Sequence, residues 1–588
     1  MKYWAAAIAV AAVAAAALTA VASVAIDAAS VLVRQRSEYQ AESAKTIVEL
    51  QAFRRTMASP IEDARGRSGS ATLINLNPGV NAWFLLSLAW YGSDETEVYH
   101  LENARPGTQT VALDELTGDL VIHSAGKTVD CALWSAQGPG SLRQARESRL
   151  PYAPLCADRM YLRNVVAGTF TPIERVTEFL RDHVWGGDAI VTFVRKHVFQ
   201  DSFARMGLTG EPAPEPAVSV QMPRAAQVRE ADHAIAIDPE DLGIDANGSP
   251  GSFLLGRWYA VSASPGIYLS VMRPGAVSEE LVASYPARVN PLDDIESRAL
   301  AYLVAMDLTQ YELRFALGTD HPRVGWSERA LDTVRNPNLP GPDGIGSVAP
   351  LVVNGMVSPA LIGRTVATFA GGFKREHGAF RYGSMAQQNH GSHYGFIEQG
   401  VVFSKLQPGL ATLYVGTDGH VEMKTWARDD DALLDRIADA RQNGIPLIEF
   451  DAGSGVSSPG PLVNQWGAGN WSGSVDERLR TVRGGTCLQQ TPTRRFLIFG
   501  YFSTATPSAM ARVFQAFGCR YAMQLDINAL EHTYFALYTH DQGRLIVQHL
   551  AQGMAEVDRK GGNQLAPRFL GFPDDRDFFY VLRREGPP

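Results

Sequence analysis

Short apolar runs that end at turn residues recur along the second half of the chain and predict strands. Residues 410–426 hold two such runs on either side of Asp418-Gly419, a dipeptide typical of β-hairpins. Further on, "RRFLIFGYFS", a helical pattern that begins at Thr506-Pro507, and "YAMQL" predict a strand, a helix and a strand. This order indicates a parallel crossover. It would put Asp526 just beyond the carboxyl end of a strand, where open α/β sheets hold their ligands.

Two other segments have the apolar spacing of helices. The first covers residues 31–58, and its apolar positions are Ile47, Leu50, Phe53 and Met57. The second begins at the acids 429–431, ends at Gly444 and precedes a strand that runs into Asp451. Its apolar positions are Leu433, Leu434, Ile437 and Ala440.

A chain of 588 residues is too long for one hydrophobic core. We predict an α+β protein with a smaller N-terminal α+β domain of unknown role at 31–205. A linker rich in Pro and Ala is expected at 206–250. The larger C-terminal domain, at 251–588, is expected to hold a mixed sheet with helices.

Residues 1–30 have the composition of an export signal or a membrane anchor. After Lys2 no charge occurs until Asp27. The segment Ala20-Val21-Ala22 fits a signal-peptide cleavage site before Ser23, whereas the uncharged run is also long enough to span roughly 30 Å of hydrocarbon. A cytosolic Ala-rich helix is the remaining alternative. We expect a periplasmic or extracellular protein, tethered to the inner membrane by this segment.

The cysteine count and the net charge limit which disulfides and which partners the protein is expected to have. The chain holds four cysteines and no CxxC pair, so an exported protein would be expected to form two disulfides. Of the three connectivities we expect Cys131–Cys156 and Cys487–Cys519, with four buried free thiols as the alternative. The net charge of -9 gives no electrostatic support for a nucleic-acid partner. No cofactor motif and no metal site is predicted.

Several short motifs between about residues 295 and 585 occur in an order that resembles the phosphodiester glycosidase family. The first is "FAGGFK", which contains Gly371 and Gly372. Next come "SPGPLVNQWG" and "RLRTVRGG", the second of which contains Arg480. The last is the strand that ends in "QLD" at Asp526. Each motif is weak by itself, so the resemblance depends on their order.

The resemblance implies cleavage of a glycosidic or sugar-phosphodiester bond. Arg480 would bind the anionic group through its guanidinium fork, and Asp526 would activate water or stabilise the sugar cation. The backbone N–H groups of Gly371 and Gly372 would face the anion. A structural ion pair for Arg480, turn capping for Asp526 and a tight turn for the glycines are the competing interpretations.

Four further residues complete the predicted site. Glu531 and His532 share a turn with Asp526 and are expected to assist acid–base chemistry. Asn528 stands where the family has a glycine and would reshape the sugar pocket. His393, in a glycine-rich segment with His390, is expected to contact the sugar rather than a metal, and Asp451 is expected at the rim of the cleft.

We therefore expect an exported hydrolase acting on an envelope or extracellular glycan, with a glycan or sugar phosphate as its partner. A non-catalytic glycan-binding or interaction protein on the same scaffold is the alternative. The replacement of the family's glycines by Ile527, Asn528 and Ala529 favours that alternative. A transferase that uses the same cleft is a third possibility.

Overall fold

The computed structural model describes most of the chain. The described residues are 33, 36–37, 45–63, 66–134, 141–171, 207–208, 221–247, 251–285, 287–321, 338, 345–373, 394–465, 478–541, 543–561 and 564–585. Within these ranges strands dominate and helices are few and short. The described fold is therefore β-rich, with less helix than the predicted α+β class implies.

The N-terminal part consists mainly of antiparallel strands. Its strands are β1 (Lys45–Thr46), β2 (Arg55–Glu62), β3 (Ser68–Asn75), β4 (Trp83–Trp90), β5 (Thr96–Asn103), β6 (Gln109–Leu113), β7 (Leu120–Ser124), β8 (Lys127–Cys131), β9 (Tyr152–Leu155) and β10 (Met160–Arg163). Its helices are α1 (Ile47–Leu50) and α2 (Ser141–Ser148). One sheet has the order β2-β3-β4-β5-β10-β9 and a second has the order β6-β7-β8. The two sheets share a separate hydrophobic core.

The prediction of a helix over residues 31–58 is wrong for residues 55–58, which belong to strand β2. In the described part of that segment, α1 ends at Leu50 and β2 begins at Arg55. The side chains of Ser59 and Ile61 are buried and alternate with exposed neighbours, which is the period of a strand. All eight residues of β2 pair with β3, and Pro60 would have interrupted a helix.

The larger part of the fold follows. Its strands are β11 (Gly207–Leu208), β12 (Ala236–Asp238), β13 (Phe253–Leu254), β14 (Tyr259–Ala260), β15 (Ile267–Met272), β16 (Ala301–Asp307), β17 (Tyr311–Ala316), β18 (Ile345–Ser347), β19 (Thr365–Ala370), β20 (Phe396–Glu398), β21 (Val401–Ser404), β22 (Ala411–Gly416), β23 (Val421–Thr425), β24 (Ile437–Gln442), β25 (Pro446–Asp451), β26 (Val456–Pro459), β27 (Thr481–Gln490), β28 (Arg495–Ala505), β29 (Cys519–Ile527), β30 (Phe535–Asp541), β31 (Arg544–His549), β32 (Arg559–Gly561), β33 (Gln564–Ala566) and β34 (Phe578–Arg583). Its α-helices are α3 (Glu279–Ala283), α4 (Asp294–Arg298) and α5 (Pro507–Ala516). Its 3₁₀ helices are Glu230–Asp232, Pro274–Ala276, Ile362–Arg364, Arg428–Arg436, Glu531–Thr533 and Gln552–Val557.

Three sheets organise this larger part around one extended core. The largest has the order β14-β15-β16-β28-β27-β29-β25-β26. The two five-stranded sheets have the orders β17-β34-β19-β30-β31 and β21-β20-β24-β22-β23. Ile237 and Ile244, which lie in the predicted linker, are buried in the same core.

The predicted crossover is present in the largest sheet. Both β28 and β29 pair antiparallel with β27, which lies between them, so β28 and β29 run parallel to each other. Helix α5 connects them. The Thr506 hydroxyl accepts from the Ala509 N–H at 3.3 Å, and Gly518, at φ +66°, follows the helix. The crossover brings Asp526 to the penultimate position of β29.

The second predicted helix is wrong. A 3₁₀ helix covers Arg428–Arg436, but Ile437 begins β24, which lies between β20 and β22. Both faces of β24 are buried, and its polar side chains Asp439 and Arg441 find partners inside the protein. These tertiary contacts override a helical spacing of apolar residues.

Both expected disulfides are present. Cys131 is bonded to Cys156, with a Cα–Cα distance of 5.6 Å, and Cys487 is bonded to Cys519, with 5.9 Å. In the part of the chain that the structure describes, no helix is long and apolar enough to cross a membrane. Residues 1–32, which carry the predicted signal or anchor, lie outside that part.

Candidate active site

Asp526 lies at the carboxyl end of β29 with only 5% of its surface exposed. Its Oδ1 accepts a hydrogen bond from the Ile527 N–H at 2.8 Å. Its Oδ2 is paired with the guanidinium of Arg576, which is itself 7% exposed. The predicted carboxylate is therefore a charged group in a nearly dry environment, with one cation against it.

His532 completes a group of three side chains. It lies on the 3₁₀ helix that follows β29, and its Nδ1 lies 2.7 Å from the Ile527 carbonyl oxygen. Its Nε2 lies 2.7 Å from Nη2 of Arg576. A carbonyl requires a donor and a guanidinium requires an acceptor, so this geometry selects the Nδ1–H tautomer. Arg576 thus contacts Asp526 and His532 with different nitrogens.

Arg576 belongs to the run "DDRD" before β34, and the first acid of that run fixes its backbone. Asp574 Oδ1 accepts from the Arg576 N–H at 3.0 Å. The same carboxylate receives two hydrogen bonds from Arg568, at 2.8 and 2.9 Å, and Arg568 also donates to the Glu531 carbonyl. Arg568 therefore contacts both the acid that positions the Arg576 backbone and the turn that carries His532.

The Gly371-Gly372 turn connects to the same region through Asn443. The amide of Asn443 donates to the carbonyls of Gln524 and Leu525, at 2.7 and 3.0 Å, and accepts from the Phe373 N–H at 3.0 Å. Gly372 has φ +142°, and a Cβ there would lie 2.8 Å from Asn443 Oδ1. The turn therefore requires glycine for its conformation and for its close packing.

A second buried ion pair lies beside that turn. The carboxylate of Asp577 is 3.1 Å from Arg441 Nε and 2.5 Å from His321 Nδ1, and its backbone carbonyl accepts from the Gly371 N–H at 2.8 Å. Burial alone would raise the pKa of Asp577, but His321 and Arg441 hold that pKa below its usual value. Burial lowers the pKa of Arg441, while Asp577 and Asp526 both act to raise it. Arg441 is therefore within electrostatic range of the predicted carboxylate.

Arg480 points to a different partner from the one predicted for it. Its Nε pairs with Asp293 at 2.9 Å, and Asp293 caps α4. Its Nη1 is buried and makes no hydrogen bond to the residues that the structure describes. The backbone next to it remains close to the end of β29, because the Thr481 hydroxyl donates to the Asn528 side chain at 3.1 Å.

Glu531, a predicted acid–base residue, and Asn528, a predicted sugar-binding residue, lie on the turn after β29 in different surroundings. Glu531 is 7% exposed, and its Oε1 has no hydrogen-bond partner among the described residues. Asn528 has φ +82°, and its N–H donates to the Val482 carbonyl at 2.8 Å. Asn is among the residues that adopt this left-handed conformation most readily, so it can replace a glycine there without large strain.

Asp451 does not join the group. Strands β25 and β29 are antiparallel, with Pro446 opposite Met523, so Asp451 lies near the start of β29. At about 3.3 Å per residue this is roughly 20 Å from Asp526 along the sheet. Asp451 is exposed and forms a hairpin turn by accepting from Gly453 and Ser454. His393 lies outside the described residues.

Six residues of these contacts were not predicted from the sequence, and they are Arg576, Asp574, Asp577, Arg568, Arg441 and Asn443. One signal for the first three was available. Four consecutive charged residues, Asp574 to Asp577, directly precede an apolar strand, and such charges are buried only when they are paired. Among the described residues, no group of three or more His, Cys, Asp or Glu side chains is arranged to hold a metal ion.

Comparison with known proteins gives a weak likeness only. No family model matches the chain, and no curated protein matches it. The catalytic domain of zebrafish N-acetylglucosamine-1-phosphodiester alpha-N-acetylglucosaminidase, auto-inhibited by its pro-peptide, is 10% identical with a TM-score of 0.27. The match covers 64% of this chain and all of that domain. A Burkholderia pseudomallei protein described as exported is 11% identical over 64% of this chain and 99% of its own, with a TM-score of 0.18. Such TM-scores are too low to carry an argument about fold or reaction.

Proposed function

We propose that this protein is an exported hydrolase that cleaves a glycosidic or sugar-phosphodiester bond. The observation that carries the proposal is the convergence of Asp526, Arg576 and His532 at the end of β29. A carboxylate, a guanidinium and an imidazole within hydrogen-bond reach supply the charges that such a reaction requires. The two disulfides support an oxidising compartment, and residues 1–30 would direct the chain there.

Each side chain of the Asp526 group has a role in the proposed hydrolysis. A water oxygen forms a bond to the anomeric carbon while the bond from that carbon to the leaving oxygen breaks, and the electron pair leaves with the phosphate or alkoxide. Asp526 takes the proton of the attacking water or stabilises the positive charge on the sugar. Arg576 would bind the anionic leaving group together with Nη1 of Arg480, which makes no hydrogen bond to a described residue, and His532, with Glu531, would move protons.

The substituted glycines are compatible with this proposal. Asn528 keeps the positive φ that a glycine would provide, and its side chain is held by Thr481. Asn528 can therefore form the turn that a glycine would form, and it would add an amide to the proposed pocket. We infer that this amide, together with the Gly371-Gly372 turn, selects the sugar.

Hydrolysis of a panel of aryl glycosides and sugar phosphodiesters tests the proposal. Wild-type protein is compared with Asp526→Asn, and Asp232→Asn serves as the control because that carboxylate is equally buried but pairs with Arg229 and Arg273 outside the proposed site. Turnover that disappears in a folded Asp526→Asn protein, and remains in the control, supports the hydrolase. Folding is checked by circular dichroism.

One observation favours a second candidate, a glycan-binding protein without catalysis. Both oxygens of Asp526 are engaged, one by the Ile527 N–H and the other by Arg576. A carboxylate held in this way is poorly placed to accept a proton unless the pair opens. Saturable binding of a glycan without turnover of any member of the panel would favour this candidate.

A further inference from the structure

A polar cleft, distinct from the Asp526 group, lies between the N-terminal sheets and the larger part of the fold. Its volume is about 790 Å³, and its walls include Arg55 from β2, Thr110 from β6 and Thr417 from the β22–β23 turn. A second cavity of about 450 Å³ continues it along the surface. Asp418, Gly419 and Arg584 line both cavities, so the two form one elongated groove. Grooves between structural units are frequent ligand sites.

The charges of this groove differ from those of the whole chain. The chain has a net charge of -9, yet the described residues that line the groove include five arginines and two acids. Three of the arginines are neutralised by acids, and these pairs are Arg314 with Asp439, Arg494 with Asp307, and Arg495 with Glu422. The remaining two, Arg55 and Arg584, form no ion pair with an acid in the part of the chain that the structure describes.

Arg55 is exposed on the wall of the first cavity and forms no ion pair with any described residue. Arg584 lies where the cavities join, and its Nε donates to the Leu308 carbonyl at 3.2 Å. No carboxylate of the described chain neutralises it. Two guanidiniums along one groove therefore offer separate forks for carboxylate or phosphate groups.

The remaining lining favours a carbohydrate over a peptide. Among the described residues no Phe, Tyr or Trp lines either cavity, whereas aromatic anchors dominate peptide and protein recognition. The accessible polar groups include threonine hydroxyls, asparagine amides, glycine backbone and the carboxylate of Asp418, and apolar side chains such as Leu313 and Val415 also line the groove. One oxygen of that carboxylate accepts from the His420 N–H at 2.9 Å, and the other faces no donor in the described residues. A carboxylate beside a guanidinium suits vicinal sugar hydroxyls, which both donate and accept.

We propose that this groove binds an anionic oligosaccharide, with Arg55 and Arg584 contacting its acidic groups and Asp418 accepting from its hydroxyls. The site is separate from the proposed hydrolytic centre, since none of the residues lining the groove belongs to the Asp526 group. The groove would hold one part of a charged oligosaccharide while another part of the same molecule is hydrolysed or bound elsewhere on the protein surface.

Isothermal titration of the full-length protein tests this proposal without any readout of turnover. The probes are tetragalacturonate and a phosphorylated mannotetraose, with maltotetraose as the neutral comparison and tetraglutamate as the anionic peptide. Arg55→Gln and Arg584→Gln remove the two guanidiniums. Arg149→Gln is the matched control, because it removes an exposed charge outside the groove.

We expect at least one acidic glycan to bind, with affinity that falls as salt is raised. Each groove variant should weaken that binding about tenfold, which corresponds to the loss of one charged hydrogen-bonding group. The Arg149→Gln control should bind as wild type. Equal affinity for maltotetraose, equal or tighter binding of tetraglutamate, no effect of the groove variants, or no binding of either acidic glycan would each overturn the proposal.

Discussion

The guanidinium of Arg576 is ion-paired with the carboxylate of Asp526, 50 residues earlier in the chain. Both side chains are nearly buried, at 7% and 5% exposure. The pair joins the end of β29 to the segment before β34, so two different sheets meet at this contact. Its charges are separated from solvent, and the loss of one would leave the other without compensation.

Replacing Asp526 by Ala should therefore destabilise the protein strongly. We expect the free energy of unfolding to fall by about 3–5 kcal/mol, since Arg576 would remain buried without its carboxylate. Asp293→Ala, which breaks a more exposed pair with Arg480 and removes the N-cap of α4, should cost less, about 1–2 kcal/mol. Urea denaturation measures both values. Similar small losses in the two variants would mean that the Asp526 pair is solvated in solution.

Arg568 should act on the proposed reaction through Arg576. Arg568→Lys keeps the charge but loses the paired hydrogen bonds to Asp574, which orients the Arg576 backbone. We expect kcat/KM to fall about tenfold, which corresponds to about 1.4 kcal/mol of transition-state stabilisation.

The matched control is Arg314→Lys, which weakens a pair with the buried Asp439 in another sheet. It should lower the free energy of unfolding without a comparable loss of kcat/KM. An equal loss of kcat/KM in both variants would mean that Arg568 contributes to the stability of the protein and has no specific effect on the reaction.

Local patterns predicted those parts of the fold that are determined by neighbouring residues. The hairpin at Asp418-Gly419 and the helix from Thr506-Pro507 to Gly518 follow turn and capping rules, and both are present. The crossover that brings Asp526 to the end of β29 follows from the order of these elements. The disulfide pairs also joined cysteines that are near in sequence.

Contacts between distant segments were not predictable in this way. Residues 437–442 have helical spacing but form β24, because Asp439 and Arg441 find buried partners far along the chain, Arg314 in β17 and Asp577 just before β34. Arg576 was missed for the same reason. Its pairing with Asp526 depends on how β34 is placed beside β19, which no local pattern reports.

The Cys487–Cys519 disulfide should contribute substantially to stability. It joins β27 to β29, the strand that carries Asp526, across 32 residues. The double variant Cys487→Ala/Cys519→Ala should lower the free energy of unfolding by about 3–4 kcal/mol, because the unfolded chain gains freedom. Guanidinium denaturation measures the loss.

The double variant Cys131→Ala/Cys156→Ala provides the comparison. This pair closes a loop of similar length, at a separation of 25 residues, within the N-terminal core. It should lower stability by a similar amount and leave any activity at Asp526 intact. If the first variant left stability unchanged, the strand pairing of β27 and β29 would be sufficient without the bond.

Glu398 is a buried acid between the N-terminal sheet and the larger part of the fold. Its Oε2 accepts from the Leu317 N–H at 3.0 Å. Burial raises the pKa of Glu398 to about 8, although the nearby Arg163 guanidinium and the Leu317 hydrogen bond act in the opposite direction. The neighbouring acids Asp439 and Glu102 add to the increase. The folded protein thus favours the protonated carboxyl.

This environment predicts how stability depends on pH. Between about pH 4.5 and pH 8 the folded state keeps the proton of Glu398 while the unfolded chain has lost it, so stability should fall as pH rises. The contribution is at most about 1.4 kcal/mol per pH unit. Glu398→Gln imitates the protonated form and should flatten the dependence across that window, whereas Glu95→Gln, an exposed control, should not. Urea denaturation at pH 5, 6, 7 and 8 measures the slopes, and parallel slopes for wild type and Glu398→Gln would show that Glu398 is ionised in the folded protein throughout.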